Sequence, residues 1–421
     1  MQKSPERIVV TNYGQNKYNP ISQTRPVWDI LCGCLYAFER IKILCDNKYP
    51  GIDLVFLCSR DMLNFCKEKH PSLDIVDTIA DGKATLFLNP FLYDIDFIDM
   101  EIQNCVYLNG NTFLAAYTDS ANSLRFSPDA TDNRLDIVES EIIVPDYIWD
   151  MVNQNGFYIH NDISLLKKKN SVTVDYDSLT IVGSSENLYI DNEAVIDPFV
   201  VIDTRKGPVY ISGGVTINSF TRVEGPCYLA PGVILYGAKI REGCSIGEGC
   251  RIGGEVEDSV FHPWSNKYHD GFIGHACIGE WVNLGALTTN SDLKNNYSSV
   301  AVYQNGNIIN TGLVKVGCFI GDHTKMSIGS LINTGASIGC FSMSVHSGRM
   351  TPQFIPSFSI FIKNGLRDIK SVETLLDSTE IVMNRRNKSM SNAFKEYIIN
   401  LYKNNERERV LGLDRWNKSV I

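Results

Sequence analysis

One register of side chains recurs every six residues through the second half of the chain. It runs Tyr210, Thr216, Arg222, Tyr228, Ile234, Ile240, Ile246 and Ile252. Phe272, Ile278, Leu284 and Asn290 continue it, followed by Val314, Ile320, Met326, Ile332 and Ile338. Six is neither the 3.6-residue period of a helix nor the two-residue period of a strand. It is the period of a hexapeptide solenoid, in which each unit is one short strand and a turn. Three units close a triangular coil, so equivalent residues stack every ~18 positions and the isoleucines fill the interior. Thr216 and Arg222 break the ladder and leave its phase open there. Two polar insertions are expected, at 258–271 and 288–311. Within Ser265–Asn296, His269 lies between Lys267 and the Asp270-Gly271 turn. A polar excursion inside a repeat is where such a protein is expected to place its chemistry.

The first 150 residues follow a different rule. Apolar runs at Arg7–Thr11, Asp53–Ser59 and Lys83–Leu88 read as strands, the second as a buried one. Asn104–Leu108 and Thr112–Thr118 flank Asn109-Gly110-Asn111 and read as a hairpin. Helices are expected over about Trp28–Asn47 and over Arg60–Lys69. Alternating strands and helices imply a sheet with helices on its faces. A helical connector follows over 145–170, and a charged helical tail over 371–421 covers the last coil, because solenoid ends expose core. The expected division is an α/β domain over 1–145, a connector over 146–180, a β-helix over 181–350 and a helical cap over 351–421.

The 421 residues carry a net charge of −9, which provides no basic footprint for nucleic acid or an anionic membrane. No run approaches the ~18 apolar residues of a membrane span, and the N-terminus lacks the apolar core of a secretory signal. A cytoplasmic protein is expected. Twelve cysteines without a C-x-x-C pair read as buried, reduced thiols.

Two segments, AKIREGCSIGEGCRIGGEVEDS (238–259) and SNKYHDGFIGHACIGEWVNLGA (265–286), resemble the left-handed β-helix acyltransferases of the GlmU group. TRPVWDI (24–30), LFLNP (86–90) and WDMVNQNG (149–156) are similar to an alternative bacterial branch of that group. The resemblance implies a nucleotidyltransferase-like α/β domain, a left-handed parallel β-helix with a helical tail, and a homotrimer with sites between subunits. It implies acetyl-CoA-dependent acetylation of an amino-sugar phosphate such as glucosamine 1-phosphate. It also implies Mg²⁺-dependent nucleotidyl transfer from UTP or dTTP to a sugar 1-phosphate.

Carried over by motif, His269 falls on the acetyl-transfer base, Arg241 on a sugar-phosphate arginine and Asn283 on the asparagine of an NIGAG-like segment. Ser259 stands where the family has a phosphate-binding lysine, so Lys267 is expected to supply that charge. Phe272 replaces a substrate-binding tyrosine. In the first half, NYGQNKYNPISQTRP replaces the Gly-rich G-x-G-T-R-M loop, and Arg25 is the best single phosphate clamp. No aspartate is singled out as a metal ligand.

The chemistry suits these residue types. A neutral imidazole titrates near working pH and can accept the proton of an attacking amine. Arg241 can hold a phosphate bidentately, and Lys294, in the second insertion, can close over one. His262, His275 and His323 read as structural. Asn283 and Asn290 are equally suited to capping β-helix corners. Acetyl-CoA is expected in a groove between coils, against Gly317, Gly321, Ser327 and Gly329. Two alternatives remain: an acyltransferase with a degenerate first domain, and a non-catalytic nucleotide-sugar-binding scaffold.

Overall fold

The computed structural model describes residues 4–79, 82–119, 135–166, 179–345, 348–362, 365–369 and 371–419. A seven-stranded sheet occupies the first part, with strands β1 (Arg7–Val10), β2 (Asp53–Leu57), β3 (Asp74–Val76), β4 (Thr85–Leu88), β5 (Cys105–Asn109), β6 (Thr112–Thr118) and β7 (Asp136–Glu139). Its order is β3-β2-β1-β4-β6-β5-β7. The first four strands are parallel, and β6 pairs antiparallel with both β4 and β5. β1 and β4 are buried along their whole length, Arg7 and Thr85 included, with Arg7 paired to Asp53 at 3.1 Å, whereas β2, the strand expected to be buried, is only partly so. The expected hairpin forms at Asn109–Thr112.

Both helices of the first half start later than the sequence implied. Val27–Asp29 is a single 3₁₀ turn, and Leu31–Cys32 pairs antiparallel with Leu35–Tyr36 before helix α1 begins at Ala37 and runs to Lys48. Gly33, at φ +79°, makes the turn between the two short strands. Helix α2 spans Leu63–Lys69.

Helix α3 (Ile148–Leu165) joins the two halves. Asn155 accepts from Gly33 N and donates to Gly243 O and Ser245 Oγ, so one side chain ties the connector to both sides. Asp162 pairs with Arg40, both fully buried. The basic run at 167–169 lies outside the described residues.

From Leu179 onward the chain is a three-sided parallel β-solenoid, the left-handed β-helix class expected. One interior ladder is unbroken: Ile190, Ile211, Leu229, Ile246, Phe261, Ile278, Ile320, Ile338 and Ile355 stack in register. The phase of the early coils differs from the six-residue register above by one residue. Ile211, Ile217, Val223, Leu229 and Leu235 point inward and are fully buried, whereas Thr216, Arg222 and Ile234 do not. A short step between Leu235 and Ile240 then brings Ile240, Ile246 and Ile252 inside.

Only one of the two expected insertions is present. Residues 258–271 form an ordinary coil, with Val260–Phe261 and Asn266–Lys267 in register with their neighbours. The excursion after Thr289–Asn290 is real and carries the antiparallel pair Ala301–Gln304 and Asn307–Asn310. Val314 lies in it, exposed, rather than in the ladder. Gln304 and Asn305 reach Asn16 O of the first domain, each at 2.7 Å.

One coil corner is a stack of rings. Trp264, Trp281, His323, Phe341 and Phe358 all adopt left-handed backbone, φ +54° to +65°. Their successive centroids lie 4.6–6.2 Å apart, nearly parallel. Side chains rarely accept that conformation, and here the stacking offsets its cost. Helices α4 (Val372–Asn384), α5 (Asn392–Asn404) and α6 (Glu406–Ser419) complete the chain. Phe394 and Tyr397 of α5 pack on Phe65 of α2. Sheet, last coils and tail thereby share one apolar core that includes Phe319, Phe341, Phe358 and Tyr397. All twelve cysteines are free and buried.

Candidate functional site

Two clefts and one buried charge cluster decide what the chain can do. The first cleft, of about 550 Å³, opens at the carboxyl ends of β1, β2 and β3 and is lined by Thr11, Asn12, Gly14–Lys17, Leu57–Ser59 and Asp77. In parallel α/β sheets this edge is where phosphorylated ligands bind. Gly14, at φ +67°, turns the loop after β1. Burial lowers the Lys17 pKa, but the hydrogen bond and charge of Asp146, 2.7 Å from Nζ, outweigh it and hold the ammonium above its ordinary value. Among the described residues Asp77 is the one carboxylate lining this cleft. Mg²⁺ in phosphoryl-transfer sites takes one or two carboxylates and otherwise substrate phosphates, so this donor set fits a metal held mainly through a triphosphate. The segment expected to replace the Gly-rich loop begins here, but the residue singled out in it, Arg25, does not line the cleft; Asn12, Gly14 and Lys17, directly after the first buried strand, do.

Arg25 is elsewhere. Its side chain is 1% exposed and lies between the first domain and the solenoid. It pairs with Glu280 at 2.7 Å and with Asp322, and faces His262 Nδ1 at 3.2 Å. Burial lowers its pKa, but Asp322 and Glu280 outweigh that and hold it well above the ordinary value. Burial alone would raise the Glu280 carboxyl; Arg25 and Lys69 outweigh burial and bring it down to about 2. Its charge is therefore spent inside the protein rather than on the sheet cleft.

On the solenoid, His269 is exposed at a coil corner, its ring edge-on to Tyr268 at 5.6 Å. Lys267 does not project beside it. It takes the interior position between Ile252 and Leu284, is 1% exposed, and donates to Gly253 O at 2.7 Å and His269 O at 3.0 Å. Burial pushes its ammonium down to about 8. Lys267 thus anchors the His269 backbone and is out of reach of a phosphate.

Arg241 lies on the next corner, 3.1 Å from Glu257 and 3.7 Å from Glu255, with Lys315 3.3 Å from Glu257. His275 sits between Asp292 at 2.9 Å and Asp258 at 3.5 Å. Glu257, Asp258 and His275 could crowd around a cation; Arg241 and Lys315 already match the Glu257 charge, and no metal is assigned there. Lys294 Nζ is held by Ser299 O within the second insertion. Asn290 is buried and closes both backbone groups of Gly274, whereas Asn283 is exposed on a strand.

Of the expected cofactor residues, Gly317 and Gly321 are buried between coils. A Cβ on Gly317 would stand 1.9 Å from Gly274 O, and one on Gly321 2.5 Å from Cys340 N. Coil stacking accounts for their size. Ser327 and Gly329 remain partly accessible.

The fold and clefts define a class: a sheet domain with a cleft at its strand ends, continued in one chain into a hexapeptide solenoid. The comparisons agree. Residues 8–171 match the family model described as sugar nucleotidyl transferase. The "Bifunctional sugar-1-phosphate nucleotidylyltransferase/acetyltransferase" of Sulfurisphaera tokodaii is 31% identical over 215 residues, 51% of this chain and 47% of that protein. The "Bifunctional protein GlmU" of Paraburkholderia xenovorans is 24% identical over 254 residues, covering 54% and 53%. The chain thus spans about half the length of these relatives. An Arabidopsis UDP-N-acetylglucosamine acyltransferase structure overlaps 58% of this chain and 93% of its own at 13% identity, with a TM-score of 0.22.

Proposed function

We propose that this chain is a bifunctional transferase of nucleotide-sugar synthesis. The sheet domain joins a sugar 1-phosphate to a nucleotide from UTP or dTTP, and the solenoid acetylates an amino-sugar phosphate such as glucosamine 1-phosphate with acetyl-CoA. The observation that carries this reading is the combination in one chain of a sheet matching sugar nucleotidyl transferases and a hexapeptide solenoid. The division at 1–145, 146–180, 181–350 and 351–421 belongs to the same reading.

In the sheet cleft, the sugar phosphate attacks the α-phosphorus of the nucleotide in line, and pyrophosphate leaves. The loop 11–17 supplies backbone and side-chain donors along the phosphates, and Asp77 would help hold Mg²⁺, whose charge there stabilises the developing negative charge. On the solenoid, the substrate amine attacks the thioester carbonyl carbon. The C–S bond breaks, His269 takes the proton from nitrogen, and that proton returns to the departing thiolate. Lys267 keeps the histidine backbone in place through its bond to His269 O. Arg241 and Asn283 serve the phosphate and sugar, with Lys294 closing over them. Ser327 and Gly329 line the acetyl-CoA groove, and Gly317 and Gly321 shape it by letting the coils approach.

Homotrimer formation is part of this proposal, supported by the Phe199 and Phe220 rings, stacked at 5.7 Å and 69% and 77% exposed. Among the described residues no helix is long and apolar enough to cross a membrane; a cytoplasmic location is our reading.

The test is pyrophosphate release across a panel of nucleoside triphosphates and sugar 1-phosphates, run beside thiol release from acetyl-CoA. Turnover in both assays is expected. Thiol release alone would leave an acyltransferase with a degenerate first domain, and binding without turnover would leave a scaffold.

A further inference from the structure

A second cleft, of about 520 Å³, lies between the solenoid and helix α4, and its charge is unmatched. Arg251, Asn266, Asn283 and Lys325 follow one another in register on the outer face of one sheet. Arg385 and Arg386, at the end of α4, face them across the cleft, and Trp264 and Trp281 line it with rings 5.6 Å apart. Among the described residues no carboxylate lines this space.

The four cations have little to satisfy them. None of the four makes an ion pair with a described residue. Arg386 donates to Asn266 Oδ1 at 3.0 Å, and Lys325 to Trp281 O at 2.6 Å. Arg251 Nε is buried without an acceptor. Burial pushes the Lys325 ammonium down to about 8. Burial, then Arg251 and Arg385, lower the Arg386 pKa. Like charges gathered without counter-charge destabilise the empty cleft, and an anion reverses that sign. Guanidinium forks match phosphate oxygens bidentately, and 300–1,000 Å³ is the usual range for a small-ligand site.

We propose that this cleft binds a pyrophosphate group, free or carried by a nucleotide, through Arg251, Lys325, Arg385 and Arg386. Four cations on opposite walls suit two linked phosphates better than one. The inference rests on charge and geometry, and does not depend on acetyl transfer.

The experiment is calorimetric titration of the full chain with inorganic pyrophosphate, inorganic phosphate and UDP, with tryptophan fluorescence followed in parallel. Saturable pyrophosphate binding is expected at least tenfold tighter than phosphate, with a fluorescence change from Trp264 and Trp281. Arg385→Gln, on an exposed side chain, and Arg386→Gln should each weaken it about tenfold, whereas Arg367→Gln, elsewhere on the surface, should not. Binding at the sheet cleft persists in these variants, so they isolate the solenoid component. UDP much tighter than pyrophosphate identifies a nucleotide as the ligand; equal affinity identifies the pyrophosphate group alone. Absence of saturation by either at millimolar concentration overturns the proposal, as does identical binding in wild type, Arg385→Gln and Arg386→Gln.

Discussion

Replacing Arg25 with alanine separates a structural role from a catalytic one. The guanidinium is 1% exposed, and its removal leaves Glu280 and Asp322, 17% and 4% exposed, with their shared counter-charge gone. Breaking a buried pair by deleting one partner costs ~3–5 kcal/mol. Lys69, 3.2 Å from Glu280, offsets part of that, so about 3 kcal/mol is expected. At the ~2 °C per kcal/mol expected of larger domains, the melting transition should fall by about 6 °C. Asp322→Asn in the same chain should recover part of the loss, because the uncompensated carboxylate is then gone, giving a coupling of ~1 kcal/mol or more in the double-mutant cycle. Thermal unfolding of the four chains, with pyrophosphate release measured below the transition, decides the matter. Unchanged melting with abolished pyrophosphate release would refute the interdomain role and return Arg25 to the nucleotide.

Lys267→Met tests the buried ammonium. Its folded pKa of about 8 lies below the ordinary 10.5, so the unfolded chain binds more protons between these values and wild-type stability rises with pH across that window. The stability difference between wild type and Lys267→Met should shift by about 3 kcal/mol in favour of wild type from pH 8 to 10.5; a pH-independent difference in chemical denaturation would contradict the burial. Gly317→Ala should lower the melting temperature through its clash with Gly274 O; unchanged melting with a raised KM for acetyl-CoA would instead favour direct cofactor contact. Ile320→Ala, in the middle of the interior ladder, should cost ~2–5 kcal/mol in denaturant unfolding.

The solenoid was legible because its period is a property of backbone geometry: six residues per side leaves a mark on every coil. Its phase was less so. An outward Ile234 beside an inward Leu235 has the same hydrophobicity, and only stacking against neighbouring coils separates them. The Asp258–Gly271 segment read as an insertion because Lys267, His269 and Asp270 are polar, yet a lysine can occupy an interior ladder position when two carbonyls accept its protons. Arg25 was found by motif, but its partners are 255 and 297 residues away in sequence, and no local pattern announces them. The four cations of the second cleft escaped notice for the same reason, since α4 and the coils meet only in three dimensions.

The most direct test of two activities in one chain is a His269→Ala variant assayed for both. With acetyl-CoA and glucosamine 1-phosphate, thiol release should fall by ~10²–10⁴-fold, the usual loss of a general base, while pyrophosphate release and melting temperature stay at wild-type values. Thiol release unaffected by the substitution would contradict the assignment of acetyl transfer to this corner of the solenoid.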